Sequence, residues 1–367
     1  MLNYPNLASW TDVGDSWEKT NGFGGYDLNV LRLTNLSIPG PKPTVFITSS
    51  IHAREYTTAE LMTRFAELLV AEYGVDADTT WILDHTDVRL MLVANPDGRK
   101  QAETGILWRK NTNQNYCGAS SNSRGADLNR SFTYRWNCCN GSSGSQCNNT
   151  YRGAFAGSEP ETQAVINQLS SIFPDARGPN VNDLAPLDAS GLFLDIHSSG
   201  RLLLWPWGFT SNPAPNGTQL QTLGRKLAFY NGHAPQQSIG LYATDGTTTS
   251  YGYGELGVAS YTYELGTQFF ESCSYFENTL LPDNIPSLRY ALKVVRAPYL
   301  LPAGPEGYGI SLSPSAAGGV PAGTDVTLQV TFNDARYNNS NGSEPSQNIA
   351  AVEYTIDQPP WEAGASP

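Results

Sequence analysis

Four histidines occur in the 367 residues, His52, His85, His197 and His233. Two of them stand where a metal ion could use them. His52-Ala53-Arg54-Glu55 follows Thr44-Val45-Phe46-Ile47-Thr48, a run made almost wholly of β-formers. Three residues of spacing on the turn after a strand lets His52 and Glu55 converge on one point. His197 follows a second apolar run, residues 191–196. Ligands gather at the carboxyl ends of strands in α/β sheets, so the three side chains can meet there. Two imidazoles and one carboxylate leave a fourth position open, which suits a catalytic zinc rather than a closed structural one. His-x-x-Glu alone would read more simply as a surface helix start; the strand before each histidine gives it weight. His85 reads as part of a polar connection and His233 as part of a helix-exit loop. Loop histidines are usually solvated, and neither is assigned to the chemistry.

The elements that must position these residues form an alternating pattern. Strands are expected over residues 28–33, 43–50, 88–94, 191–196 and 259–265, and helices over 58–72, 159–172, 218–231 and 284–295. On the first helix Leu61, Phe65, Leu68 and Leu69 share a face. Asn95-Pro96-Asp97-Gly98 reads as a turn. The fold class is therefore α/β: a mixed, largely buried twisted sheet with helices on both faces. The expected domain runs over 1–301, followed by a linker at 302–307. In 308–367, Val326, Leu328, Val330 and Phe332 alternate with polar residues, as do Val352, Tyr354 and Ile356. That predicts a small or truncated β-sandwich, an all-β Ig-like module.

Composition excludes several functions. With 22 basic and 34 acidic residues the chain carries a formal charge of −12 and no Lys/Arg-rich run, so nucleic acid is not an expected partner. No apolar stretch reaches the ~18–20 residues needed to span a bilayer. The first residues lack the charged and apolar regions of a signal peptide, so none is expected within this chain. Five cysteines occur, four of them within residues 117–147. The adjacent Cys138 and Cys139 do not fit paired Cys-x-x-Cys zinc spacing, whereas disulfides in an exported protein do. The expected location is extracellular. A serine hydrolase is excluded, because no Gly-x-Ser-x-Gly elbow is present.

Further motifs stand in one order along the chain: Asn95-Pro96-Asp97-Gly98, Leu107-Trp108-Arg109-Lys110, Gly125-Ala126-Asp127-Leu128-Asn129-Arg130, Asp195-Ile196-His197-Ser198, Leu241-Tyr242 and Tyr261-Thr262-Tyr263-Glu264-Leu265. With His52-Ala53-Arg54-Glu55 they resemble the zinc carboxypeptidases of the carboxypeptidase A/B type. The vicinal Cys138-Cys139 looks closest to secreted bacterial members of the carboxypeptidase T kind. The resemblance runs roughly from Tyr4 to Val295. It lacks the family's opening helix, and no inhibitory pro-segment is read.

The resemblance implies roles residue by residue. His52, Glu55 and His197 match the ligands of one zinc ion, whose bound water has a pKa lowered toward ~7. Glu264 matches the general base, which takes the water's proton and later delivers it to the leaving amine. Arg109 matches the cation that polarises the scissile carbonyl. Asn129 and Arg130 match the pair that grips the substrate's C-terminal carboxylate, a group suited to a guanidinium fork. Asp127 matches the carboxylate that orients His52. Tyr242 matches the tyrosine that closes over substrate, and Arg54 a residue lining the approach for longer peptides. Leu204, Gly208, Thr249 and Thr262 lie where the family shapes the pocket for the terminal side chain. Neutral Thr249 stands where an acidic residue would select Lys or Arg, which implies apolar or aromatic termini. Asp245, four residues earlier, leaves some tolerance of basic termini open. Ser199 replaces an entrance aromatic of pancreatic-type members.

By the same resemblance Cys147 is a disulfide position with Cys117 its partner. Cys138 is then left with Cys139, and Cys273 is the odd thiol. A structural Ca2+ ion is compatible with such a chain, but no motif marks one. The implied activity is that of a secreted, monomeric metallocarboxypeptidase acting on peptides and proteins with a free C-terminus. An amidase acting on cell-wall peptides and an inactive binding module are the alternatives.

Overall fold

The computed structural model describes residues 4–313 and 319–366. Residues 1–3, and residues 314–318 and 367 of the expected C-terminal module, lie outside the described part. Eight strands form the main sheet: β1 (Ala8–Asp15), β2 (Asp27–Leu33), β3 (Thr44–Ser49), β4 (Asp87–Met91), β5 (Leu192–Ser198), β6 (Leu202–Trp205), β7 (Ala234–Gln237) and β8 (Ala259–Leu265). Their order is β1-β2-β4-β3-β5-β8-β6-β7. The central strands β4, β3, β5 and β8 run parallel, while the β1–β2, β2–β4 and β6–β8 pairs are antiparallel. The sheet is therefore mixed. A parallel core must be covered on both faces, and β3, β5 and β8 are accordingly buried along nearly their whole lengths.

Helices Tyr56–Glu72, Pro160–Ile172, Gly217–Asn231 and Leu281–Val294 pack around the sheet. On Tyr56–Glu72 the buried stripe is Leu61, Met62, Phe65, Ala66 and Leu69; Leu68 is only half-buried. Leu281–Val294 starts three residues before the expected position, as a continuation of the helical turn Phe276–Leu280 with no break between them. The expected turn at Asn95–Gly98 is instead a helix start. Asn95 Oδ1 accepts from the Gly98 N–H at 3.0 Å, and Pro96 opens helix Pro96–Ala102.

Two further helices have no apolar stripe in the sequence. Ala77–His85 begins at a cap formed by Asp76, which accepts from Thr79 N, and places His85 at its last position rather than in a loop. Thr248–Leu256 is capped by Thr247 and ends at Gly257 in the left-handed region, φ 74°. His233 is buried, not solvated: its Nδ1 lies 3.3 Å from the Leu202 carbonyl, and burial lowers its pKa to about 4.

Beyond the main sheet, β9 (Glu306–Ser313) and β10 (Thr327–Asn333) form a two-stranded antiparallel sheet. Among the described residues no second sheet faces it, so the expected sandwich is absent there. The Val352–Ile356 alternation forms no strand, and Val352, Tyr354 and Ile356 are exposed. Aromatic and polar contacts hold this part down: Trp361 packs 5.5 Å from the Trp81 ring and under the Arg296 guanidinium. Glu344 pairs with Arg225 at 2.6 Å, and Lys226 Nζ lies 4.0 Å from the centre of the Tyr337 ring. Both cations stand on helix Gly217–Asn231 and are buried.

Candidate active site

Strands β3, β5 and β8 are neighbours in the sheet and end at the same edge. His52 follows β3, His197 is the sixth residue of β5, and Glu264 is the sixth of β8. Glu55 sits at the cap position of helix Tyr56–Glu72, so the turn between strand and helix carries both His52 and Glu55. His52 Nδ1 lies 2.8 Å from Glu55 Oε1, and His197 Nδ1 lies 3.1 Å from both Glu55 Oε2 and His52 Nδ1. One donor atom from each of the three residues falls within 4.8 Å of the others.

The outer nitrogen of each imidazole is held by a carboxylate. His52 Nε2 lies 3.1 Å from Asp127 Oδ1, and His197 Nε2 lies 2.8 Å from Asp195 Oδ2. That arrangement turns both Nδ1 atoms toward Glu55, and outer carboxylates of this kind raise ligand basicity. Two imidazole nitrogens and a carboxylate, all buried and converging, fit a zinc ion with an open position. Asp127 was legible in the sequence; Asp195 was missed. Its signal was present, since strand residues two apart share a face and Asp195 precedes His197 by two. Thr48 and Thr248 hydroxyls donate to Asp195 and fix it in turn.

Charge is organised around this cluster. Burial disfavours ionised Glu55, but the two histidines outweigh it and hold the carboxyl well below its usual range. Burial likewise opposes charge on Asp127, and Arg109 and His52 overcome it. Arg109 donates from Nε and Nη2 to Asp127 Oδ2 at 3.0 and 2.9 Å. Burial raises the Glu264 carboxyl above the ordinary carboxylate range, and the nearby His197 offsets only part of this.

A small cavity, about 40 Å³, opens at this edge. Its walls bring together His52, His197 and Glu264 with Asn129 and Arg130. Leu204, Tyr242, Thr249 and Thr262 also line it with Leu241 of the Leu241-Tyr242 motif, joined by Ser238, Thr244 and Thr247, which the sequence had not singled out. Tyr242 is half exposed at the rim. Of the residues singled out in the sequence, Glu55, Arg109, Asp127, Arg54, Gly208 and Asp245 are not among those lining it. Gly208 backs the wall: Thr244 N donates to its carbonyl at 2.8 Å, and a Cβ there would meet the Thr244 hydroxyl at 2.0 Å. Arg54 stacks its guanidinium over Phe269, 4.1 Å from the ring centre. Asp245 turns away, toward the backbone of Cys139 and Gly141.

Disulfides join Cys117 to Cys147 and Cys138 to Cys139, while Cys273 is free and exposed. No helix among the described residues is long and apolar enough to cross a membrane.

Comparison with known proteins places this geometry. The family description "Zinc carboxypeptidase" matches residues 1–281. Carboxypeptidase A1 of Rattus norvegicus is 30% identical over 273 residues, covering 72% of this chain and 59% of its own length. A zinc carboxypeptidase of Saccharothrix mutabilis subsp. capreolus is 32% identical over 275 residues, covering 72% and 58%. This chain thus spans under two thirds of the length of the curated relatives it matches. In fold, it is similar to the carboxypeptidase A of Helicoverpa armigera, with a TM-score of 0.65 at 24% identity over 82% of this chain and 71% of that one. The chain belongs to the zinc carboxypeptidase family, peptidase family M14.

Proposed function

We propose that this chain is a secreted zinc metallocarboxypeptidase that hydrolyses the C-terminal peptide bond of peptides and proteins, favouring apolar and aromatic terminal residues. The observation that carries the reading is the convergence of His52, Glu55 and His197 at one edge of the cavity that also holds Glu264 and Arg130. A zinc ion held by those three residues supplies Lewis acidity, lowering the pKa of water and polarising a carbonyl.

The chain's own side chains divide the remaining work. Glu264 accepts a proton from the attacking water at its carboxylate and delivers it to the leaving amine. Arg109, held flat against Asp127, presents its remaining N–H groups to the scissile carbonyl oxygen. Asn129 and Arg130 grip the terminal carboxylate, which restricts attack to the last peptide bond. Leu204, Thr249 and Thr262 bring no charge to the terminal side chain, which favours apolar residues. Tyr242 closes the rim over bound substrate, and Arg54 meets residues further upstream. The two disulfides support an extracellular location.

The test is hydrolysis of N-blocked dipeptides ending in Phe, Leu, Lys or Glu, with and without a zinc chelator, each repeated as its C-terminal amide. Chelator-sensitive release of Phe and Leu, lost on amidation, is the expected result. Cleavage of the amides would replace this reading by an amidase acting on cell-wall peptides. Inertness of zinc-loaded protein toward the whole panel would indicate a binding module.

A further inference from the structure

Asp245 is buried, yet it does not line the cavity. Its Oδ2 accepts the backbone N–H groups of Cys139 and Gly141 at 3.1 and 3.0 Å, and its Oδ1 has no partner among the described residues. On the other side of the same peptide segment, the Gly141 carbonyl accepts from Arg130 Nε at 2.9 Å. Arg130 Nη1 donates to the Asn129 carbonyl at 2.7 Å, and Nη2 has no hydrogen-bond partner among the described residues. Gly141 thus stands between a carboxylate and a guanidinium, passing orientation from one to the other.

The packing leaves this segment little freedom. A Cβ on Gly141 would lie 2.3 Å from the Thr244 carbonyl carbon and 2.4 Å from Asp245 N. Gly246, at φ +60°, would bring a Cβ within 2.5 Å of the Arg130 carbonyl oxygen, and Phe132 N donates to the Gly246 carbonyl at 2.9 Å. The vicinal Cys138–Cys139 disulfide lies in the same segment. Three stretches of backbone, at 130–132, 138–141 and 244–246, therefore meet beside the cavity, and among the described residues Asp245 is the only carboxylate that bonds the amides of the middle one.

We propose that Asp245 is a positioning residue for Arg130: by holding the Gly141 peptide it sets the direction in which the Arg130 guanidinium faces the cavity, and so the affinity for a substrate's C-terminal carboxylate. The inference rests on the reading of Arg130 as the carboxylate clamp. It assigns Asp245 to the backbone and not to the terminal side chain of the substrate.

Steady-state kinetics on N-blocked dipeptides ending in Phe, Leu and Lys test it with Asp245→Ala, Asp245→Asn and Arg130→Ala, each checked for zinc content and unfolding temperature. Loss of two amide partners is expected to raise KM about tenfold in Asp245→Ala, alike for all three substrates, with kcat within about twofold of the parent. Asp245→Asn keeps an acceptor oxygen for both amides and is expected to recover most of the loss. Should Asp245→Ala fail to fold, Asp245→Glu keeps the charge, displaces the oxygens by one methylene and is expected to give a smaller uniform rise. A KM rise confined to the Lys substrate, or an unchanged KM in the Asp245 variants beside a raised one in Arg130→Ala, would overturn the inference alone. An unchanged KM in Arg130→Ala would overturn the clamp reading and the inference with it.

Discussion

His197 and Glu264 are register partners across the parallel pair β5–β8. Partner residues in a parallel ladder project to the same face, so one register sets the imidazole and the carboxyl side by side. Asp195, two residues before His197, pairs with Thr262 in the same ladder and holds the outer nitrogen of the imidazole. The strand pair therefore delivers a proposed ligand, its orienting carboxylate and the proposed base as a single rigid unit.

Replacing Glu264 by Gln keeps the shape and removes the proton acceptor. General-base removal is expected to lower kcat by roughly 10²–10⁴-fold, with KM and bound zinc unchanged. Kinetics on an N-blocked Phe-terminated dipeptide, alongside metal analysis, check it; loss of zinc in this variant would mean that Glu264 is a ligand instead.

Asp195→Asn leaves His197 in place but weakens the group that fixes its ring. Metal affinity is expected to fall roughly 10–100-fold, the usual effect of losing such a partner. Competition against a chelator of known affinity measures this, and an affinity equal to the parent's would show that Asn129, whose Nδ2 lies 3.2 Å from His197 Nε2, suffices to orient the ring.

A buried acid away from the cavity gives a pH signature of stability. Burial, with Glu159 nearby, pushes the Glu161 carboxyl up to about 8, while Trp17 N and the Asn111 amide donate to it. An unfolded Glu titrates near 4.3, so between that pH and about 8 the folded state binds the extra proton. Its contribution to stability therefore falls as pH rises through this window and levels off above it. Urea unfolding of the parent and Glu161→Gln at pH 5, 6.5 and 8 is expected to show the variant gaining stability relative to the parent as pH rises.

Arg225→Ala strips the partner from Glu344 in a buried pair, a change that typically costs about 3–5 kcal/mol where the remaining charge stays buried. Here Glu344 sits on the segment that follows β10 and can swing out to water. The expected outcome is faster proteolytic cleavage within residues 304–366 with little change in peptidase activity. Unaltered cleavage would show that the remaining contacts, among them Lys226 with Tyr337 and Trp361 with Trp81, hold the segment without Arg225.

How much of this was legible without the fold depends on the kind of signal. The central strands were plain because a strand covered on both faces must be apolar at nearly every position, as β3 and β5 are. Helices Ala77–His85 and Thr248–Leu256 were not, since caps and local packing define them and no apolar stripe does. The alternation at Val352, Tyr354 and Ile356 pointed to a strand that is not there. Alternation marks a half-buried strand only when another layer covers the apolar side, and among the described residues none does.

The sequence by itself determined the chemical inventory: two imidazoles and a carboxylate behind buried strands, a distant glutamate, and arginines in ordered motifs. These are properties of residue type and local spacing, which short-range rules read well. Tertiary structure decided what each group faces. It put Gly208 behind the cavity wall and turned Asp245 from the cavity to the backbone of Cys139 and Gly141. Such assignments depend on which backbones meet across tens of residues of chain, 106 of them between Asp245 and Cys139, and no local pattern encodes that meeting.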